Sequence, residues 1–212
     1  MKSVPTTTYR KTNGRLIKLL AKHLPVNDLV TRLETDTELW QENTWRQNYV
    51  VQLERPISPQ KDTEAVMFRW APENTIESVR DSLDITTHLN FYLIPEVRPL
   101  LLECLNVIEA TECGRVFVAK LKPGGYVIPH TDYGMYADHF ERFHLVLTSQ
   151  SGNAFYVQDA KGNCEMDRME PGEFFWFAHK EAHWAINQSE TPRMHLIMDA
   201  VAPRYRRERV TV

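Results

Sequence analysis

The sequence has few cysteines and no long apolar run. Its three cysteines, Cys104, Cys113 and Cys164, are odd in number and form no CxxC pair, which argues against a disulfide framework and a thiolate zinc site. No stretch approaches the roughly 20 apolar residues of a membrane-spanning helix, and residues 1–10 lack the apolar segment of a signal peptide. We therefore expect reduced thiols, a cytoplasmic location and no membrane partner.

The sequence also lacks a marked excess of charge of either sign. Lys plus Arg number 25 against 28 Asp plus Glu, which gives a net charge of -3. This balance offers no electrostatic reason for binding along a phosphate backbone, so we expect no nucleic-acid partner. The arginines within residues 202–212 are interrupted by Glu208, and we interpret this segment as a basic, solvated tail.

The first half of the chain, residues 1–113, predicts a mixture of helices and strands. Apolar residues at helical spacing predict helices over residues 13–24, 26–40 and 94–110. Aromatic and β-branched runs predict strands over residues 45–53 and 65–70. At 212 residues the chain is long enough for one well-packed domain, and we interpret this half as an elaboration of that domain.

The second half predicts many short strands. Runs of strand-forming residues cover 115–121, 126–130, 142–149, 154–158, 174–177, 183–187 and 193–201. Glycine-containing turns separate them, for example at Pro123-Gly124-Gly125 and Pro171-Gly172. This density of strands and turns is typical of a β-sandwich or jelly-roll barrel, so the predicted fold is mainly β with flanking helices.

Three side chains in this half have the residue types of a metal site. His130 and Asp132 are two residues apart at the end of a predicted strand, so both can face one metal ion, and His183 lies on a later strand. Two imidazoles and one carboxylate suit iron(II) with open coordination positions, although zinc or manganese also fits such a set. His179 competes with His183 as the third ligand, and the strand-like surroundings of His183 favour the latter.

Two further pairs have the character of an anion site. Arginine binds a carboxylate with two parallel hydrogen bonds and stays charged when buried. Strand alternation places Arg193 on one face with His195, and it places Arg142 on one face with His144. An arginine at the barrel rim and a histidine satisfied in the core remain an alternative for the second pair.

Six segments of the second half, taken in order, resemble the aspartyl/asparaginyl β-hydroxylase family. They are IPHTD at 128–132, RFHL at 142–145, GNAF at 152–155, MEPGE at 169–173, HWAIN at 183–187 and RMHL at 193–196. The resemblance covers about residues 114–201. It implies a double-stranded β-helix (jelly-roll, cupin-like) core over that range, bearing the metal site.

The resemblance also implies an activity. Members of this family belong to the iron(II)- and 2-oxoglutarate-dependent oxygenases, which use dioxygen and convert 2-oxoglutarate to succinate and CO2. By matching position, His130 and His183 resemble the iron ligands, Arg193 the residue that anchors 2-oxoglutarate, and Arg142 and His144 residues of the same pocket. The namesake vertebrate enzyme lacks the carboxylate ligand, whereas Asp132 here would complete the set.

The expected function is therefore hydroxylation of an amino-acid side chain, in a peptide or in a free amino acid. Two alternatives remain at this point. One is a cupin-type metalloenzyme that does not use 2-oxoglutarate, in which Arg193 would lack a partner. The other is a non-catalytic barrel that binds a small anion or a protein, against which the complete metal-ligand set argues.

Overall fold

The described part of the molecule consists mainly of antiparallel β-structure. The computed structural model describes residues 15–40, 45–48 and 57–205. Within these ranges the strands are β1 (Ile17–Ala21), β2 (Thr63–Trp70), β3 (Thr86–Thr87), β4 (Glu112–Leu121), β5 (Tyr126–His130), β6 (Glu141–Thr148), β7 (Asn153–Gln158), β8 (Cys164–Asp167), β9 (Phe174–Phe177), β10 (Ala182–Asn187) and β11 (Arg193–Val201).

The strands form two sheets. The larger has the order β1-β9-β6-β11-β4-β2-β3, and the smaller has the order β5-β10-β7-β8. All the recorded strand pairs are antiparallel. Non-consecutive strands lie side by side in both sheets, as expected of a jelly roll. The predicted fold class is confirmed.

Short helices accompany the two sheets, and some of them cover one side of the larger sheet. The helices are α1 (Asn27–Thr35), α2 (Trp45–Asn48), α3 (Ile76–Arg80), α4 (Asn90–Leu93), α5 (Val97–Val107) and α6 (Met135–His139), and 3-10 turns occur at Thr37–Trp40 and Pro203–Tyr205. Leu29 of α1 and Leu100 of α5 belong to the same buried apolar cluster as Phe143 of β6 and Leu196 of β11. Burial of this apolar surface is the main stabilising contribution.

The opposite face of the same strands lines a cavity. Because strand side chains alternate, the neighbours of Phe143 and Leu196 point the other way. Arg142 and His144 of β6, and Arg193 and His195 of β11, all line this cavity. The alternation in the sequence thus separates an apolar helix-covered core from a polar interior.

Two expectations for the first half are wrong. The helix predicted over residues 13–24 is instead strand β1 where the structure describes it, and β1 pairs with β9. Pairing with the sheet edge satisfies its backbone, and the Glu165 carboxylate accepts hydrogen bonds from the Leu16 and Ile17 amides, so tertiary contacts outweigh the helical pattern. The strand predicted over residues 45–53 begins as the helix α2, and residues 49–53 lie outside the described residues.

The other predicted elements of this half have counterparts in the structure. The helix predicted over residues 94–110 corresponds to α5, and the strand predicted over residues 65–70 corresponds to β2, which pairs with β4. Strands β1, β2 and β3 therefore complete the larger sheet.

Among the described residues, no helix combines the length and apolar character needed to cross a bilayer.

Candidate metal centre

Two histidines face each other across neighbouring strands of the smaller sheet. His130 is the last residue of β5, and its Cα position pairs with that of His183 on β10. The two ring centroids are 4.3 Å apart. Directly paired residues on antiparallel strands project to the same face, so the register alone brings the two imidazoles together.

Backbone hydrogen bonds fix which nitrogen of each ring points into the cavity. His130 Nδ1 lies 2.8 Å from the Ile128 carbonyl oxygen, and His183 Nδ1 lies 3.0 Å from that of Glu181. A carbonyl only accepts, so each Nδ1 carries the proton and each Nε2 keeps its lone pair. The Gln60 amide donates to this lone pair on His130 across 3.1 Å.

Burial keeps both imidazoles neutral. It is the main cause that lowers the pKa of His130 below its usual 6.5, and it lowers the pKa of His183 to about 3. Neutral imidazole is the form that binds a metal ion. Both rings are therefore in the ligand form at physiological pH.

Asp132 supplies the carboxylate from the loop after β5. Its backbone amide donates to the His179 carbonyl oxygen at 3.0 Å, which ties this loop to the one before β10. Its Oδ2 accepts a 2.7 Å hydrogen bond from Arg142 Nη1 and lies 3.5 Å from His179 Nδ1. Burial alone would raise the pKa of Asp132, but Arg142 and His179 outweigh it and hold the pKa well below 3.8. The carboxylate is therefore charged, and Oδ1 has no described hydrogen bond.

The predicted ligand residues thus converge. Single ligand atoms of His130, Asp132 and His183 all lie within 4.8 Å of one another. Two neutral imidazoles and one ionised carboxylate are a donor set that iron(II) accepts. His179, the alternative third ligand, contacts the far oxygen of Asp132 and is not part of this group.

Arg142 is the centre of a buried ion-pair network. Besides Asp132, it binds both oxygens of Asp199, with Nε to Oδ1 at 2.8 Å and Nη2 to Oδ2 at 3.0 Å. Burial would lower the pKa of Arg142, but the two carboxylates outweigh it and raise the pKa. Arg142 lines the cavity as expected, while these contacts direct its guanidinium towards protein carboxylates. Its predicted role at 2-oxoglutarate stays a prediction.

Arg193 has different surroundings. Its Nη2 lies 3.3 Å from His195 Nδ1 and 3.9 Å from Met169 Sδ, and no described residue forms an ion pair or hydrogen bond with its buried Nε. His144 Nδ1 lies 3.2 Å from the same His195 nitrogen. Burial lowers the pKa of Arg193 to about 9, so the guanidinium is still charged at neutral pH. The buried His195 Nε2 also has no partner among the described residues.

One cavity between the two sheets contains both groups. It encloses about 560 Å³, including its opening to solvent, and His130, His183, Arg142, His144 and Arg193 all line it. Pockets of this size are typical of small-molecule sites. A charged arginine without a counter-ion in such a pocket favours an anionic ligand, because an unpaired buried charge is costly.

Comparison with known proteins decides the family. The family model described as Aspartyl/Asparaginyl beta-hydroxylase matches residues 47–203. The chain belongs to this family. The match extends towards the N-terminus beyond the segments that suggested it, and it includes β2 and α5.

One relative matches a shorter segment of this hydroxylase-family chain. An L-proline cis-4-hydroxylase of Rhizobium meliloti (strain 1021) is 33% identical over 82 residues, which are 39% of this chain and 28% of the relative. The chain therefore matches less than a third of that curated relative's length.

Two solved structures show the same fold. A prolyl hydroxylase from Trichoplax adhaerens, in complex with a hypoxia inducible factor peptide fragment, has a TM-score of 0.51 at 14% identity and covers 92% of this chain and 87% of its own. A non-haem alpha-ketoglutarate-dependent carbocyclase from nogalamycin biosynthesis has a TM-score of 0.52 at 12% identity, with coverages of 87% and 78%.

Three polar residues around the cavity of this family member were not predicted from the sequence. Asp199 lies six residues after Arg193 on β11, on the face that alternation assigns to the interior, and a lone carboxylate in an apolar strand is a usable signal. Gln60 and Arg46 also line the cavity. They lie in the first half of the chain, where no local pattern indicates which residues reach the barrel.

Proposed function

We propose that the protein is an iron(II)- and 2-oxoglutarate-dependent oxygenase that hydroxylates an amino-acid side chain, in a free amino acid or in a peptide. One observation carries the proposal: the cavity lined by His130 and His183, whose ligand atoms lie close to a carboxylate oxygen of Asp132, also contains Arg193 with no acidic partner among the described residues. Membership of the β-hydroxylase family supports it, as does the proline-hydroxylase relative.

Each predicted site residue has a role in this proposal. His130 Nε2, His183 Nε2 and one oxygen of Asp132 would hold iron(II). Arg193 would bind the far carboxylate of 2-oxoglutarate, with His144 beside it and with His195 Nε2, which has no hydrogen-bond partner in the described part of the chain. Iron(II) with 2-oxoglutarate would supply the activation of dioxygen, with release of succinate and CO2 and transfer of one oxygen atom to the substrate.

The protein contributes geometry and shielding to this reaction. Arg142, which is itself held by Asp199, donates to Oδ2 of Asp132, so that the other oxygen of the carboxylate would be presented to a metal ion. Phe155 and Phe177 line the cavity and contact His144 and His183. These rings exclude water from the place where a reactive species would form.

Succinate formation tests the proposal. Purified protein with iron(II), 2-oxoglutarate and a pool of amino acids and peptides should release succinate, whereas His130→Ala should release none. His139→Ala is a matched control, because His139 is a surface histidine bonded to Glu112. Iron-dependent turnover without succinate would favour the cupin-type alternative, and equal activity of His130→Ala and wild type would refute the assigned site.

The cytoplasmic location expected from the sequence stays a prediction, which cell fractionation would check.

A further inference from the structure

Arg46 lines the same cavity as Arg142 and Arg193 and has no role in the proposed metal site. It lies on α2 and lines the cavity together with His130 and Arg142. Its Nη1 is shielded from solvent and has no hydrogen-bond partner among the described residues. Its guanidinium carbon lies 4.5 Å from the centre of the Phe117 ring, which supports the charged group from one side.

The backbone around Arg46 is fastened to the metal site. The buried Ser58 hydroxyl donates to the Arg46 carbonyl oxygen at 2.5 Å and accepts from the Gln60 amide at 3.1 Å. Gln60 in turn contacts His130 Nε2. A turn bonded to both Arg46 and His130 holds the arginine in a fixed relation to the proposed iron ligands.

The carboxylates near Arg46 are already engaged. Burial, followed by the charge of Arg142, lowers the pKa of Arg46 to about 9, and Asp132 and Asp199 oppose this effect. Both acids, however, accept short hydrogen bonds from Arg142, Asp199 through both of its oxygens and Asp132 through Oδ2. The acids that attract the positive charge of Arg46 are therefore already hydrogen-bonded to Arg142.

Arg46 and Arg193 are at different places in the cavity. Arg46 is near enough to His130 to contribute to its lowered pKa, after burial and other groups. Arg193 contacts His195, and its charge lowers the pKa of His144 and His195 after burial. Apart from Arg142, whose charge is paired with Asp132 and Asp199, the cavity thus has one cation close to the proposed metal ligands and another at the end formed by β6 and β11.

We propose that Arg46 binds the carboxylate of the substrate, and that the substrate is consequently a free amino acid rather than a residue within a peptide chain. This inference rests on the proposed function, which assigns Arg193 to 2-oxoglutarate and leaves Arg46 for the second ligand. An internal peptide residue has no carboxylate on its backbone, whereas a free amino acid matches the planar donor pair of a guanidinium.

Three substrate pools test the choice of substrate. The iron-loaded enzyme with 2-oxoglutarate and dioxygen is given the proteinogenic L-amino acids, the same compounds as C-terminal amides, or short peptides blocked at both ends. Mass spectrometry should find a gain of one oxygen atom in the first pool alone. Equal turnover of the amides or of the blocked peptides overturns the inference, and so does an absence of turnover in the amino-acid pool.

Binding of 2-oxoglutarate separates this outcome from failure of the proposed function. Without dioxygen, 2-oxoglutarate bound to protein-held iron(II) gives a visible charge-transfer absorption, which needs no substrate. If the absorption forms and no amino acid reacts, only the substrate inference fails. If it does not form, the proposed function itself fails.

Variants of the two arginines should give opposite kinetic signatures. Arg46→Gln should raise the KM for the reactive amino acid about 100-fold, as expected for loss of charge-assisted hydrogen bonds, and leave the KM for 2-oxoglutarate unchanged. Arg193→Gln should do the reverse. Arg32→Gln is the matched control, because Arg32 lies on α1 and pairs with Asp36. Arg46→Lys should raise the KM for the amino acid less than Arg46→Gln does, because lysine keeps the charge but lacks the planar donor pair of a guanidinium.

Ser58 donates its hydrogen bond to the backbone carbonyl of Arg46, so Arg46→Gln retains this bond. Circular dichroism and the charge-transfer absorption confirm that the variant is folded and loaded. If Arg46→Gln is unfolded, the Arg46→Lys kinetics decide. An unchanged KM for the amino acid in the folded variant, or an equal rise in both KM values, overturns the inference.

Discussion

The two ends of the cavity treat a buried arginine in opposite ways. Near the metal ligands, Arg142 has short hydrogen bonds to two carboxylates, Asp132 and Asp199. At the other end, the described contacts of Arg193 are a histidine, a methionine sulfur and the ring of Phe155, none of which is acidic. The first arginine holds a protein group in place, while the second has no acidic partner among the described residues. In the proposed site, arginines on two neighbouring strands of one sheet thus serve positioning in one case and binding in the other.

The difference has an energetic consequence. A buried ion pair with complete hydrogen bonds roughly balances its desolvation cost, whereas an unpaired buried charge does not. The end around Arg193 is therefore less stable than its packing suggests until an anion binds. An anion that binds there should stabilise the folded protein by an amount that grows with the logarithm of the ligand concentration above its Kd.

The largest expected effect concerns the ligands themselves. His183→Ala removes one of the proposed iron ligands, so the variant should retain no iron after gel filtration and form no succinate. His179→Ala leaves the proposed ligands in place but removes the contacts of His179 to Asp132 and Glu141. Its iron affinity should fall by about 10- to 100-fold, as is typical for groups that contact metal ligands. Iron content and anaerobic iron titration measure both. A greater loss in His179→Ala than in His183→Ala would mean that the third ligand is misassigned.

Replacement of the unpaired arginine should separate binding from stability. Arg193→Met removes the charge and keeps most of the volume, so the Kd for 2-oxoglutarate should rise about 100-fold. The ligand-free variant should be more stable than wild type by about 1 kcal/mol, because a buried charge without a partner is gone. Urea denaturation measures this free energy of unfolding. A clearly destabilised variant would show that Arg193 has a structural partner.

A substitution at the other end of the cavity should change the free energy of unfolding in the opposite direction. Asp199→Asn breaks the buried pair with Arg142 and should lower the free energy of unfolding by about 3 kcal/mol. Because Arg142 then holds Asp132 less firmly, iron affinity should also fall, by about 10-fold. Urea denaturation and iron titration test the two effects separately. Unchanged stability would remove the contrast between the two ends.

The pH dependence of stability should reflect the buried histidines. Burial is the main cause that lowers the pKa of His144 and His195 well below 6.5 in the folded protein. Below pH 6.5 the unfolded chain therefore binds protons that the folded chain does not, and stability falls as the pH is lowered; above it, the full stability is present. Each of the two should cost about 2 kcal/mol at pH 5.

Urea midpoints measured from pH 7.5 to pH 5 check this slope, with His195→Gln as the comparison. The variant should lose stability less steeply than wild type, since one buried histidine is absent. The pKa of Asp132 is also lowered in the folded protein, so its contribution to stability is present above its usual pKa of 3.8 and is lost only below it. A wild-type stability that rises on acidification would contradict the assigned burial of the histidines.

The sequence predicts the β-rich half well because local and tertiary signals agree there. Predicted strands over residues 126–130, 174–177 and 193–201 have the bounds of β5, β9 and β11. Alternation also correctly assigns His195 to the face of Arg193 and His144 to that of Arg142. Turn glycines limit where each strand begins and ends, so little freedom remains.

The first half is harder because pairing partners decide its structure. Residues 17–21 have helical spacing, yet an exposed sheet edge at β9 makes them a strand. Arg46 and Gln60 reach the cavity through contacts that no local period encodes. The pairing of Arg142 with Asp199 also depends on tertiary structure, because the register between β6 and β11 places the two residues opposite each other.

Diffraction from crystals soaked anaerobically with iron(II) and 2-oxoglutarate tests the central claim most directly. Anomalous scattering at the iron edge should give one peak within bonding distance of His130 Nε2, His183 Nε2 and an Asp132 oxygen, and electron density for 2-oxoglutarate should place its far carboxylate on Arg193. An iron peak elsewhere, or a 2-oxoglutarate molecule bound without contact to Arg193, would contradict the account.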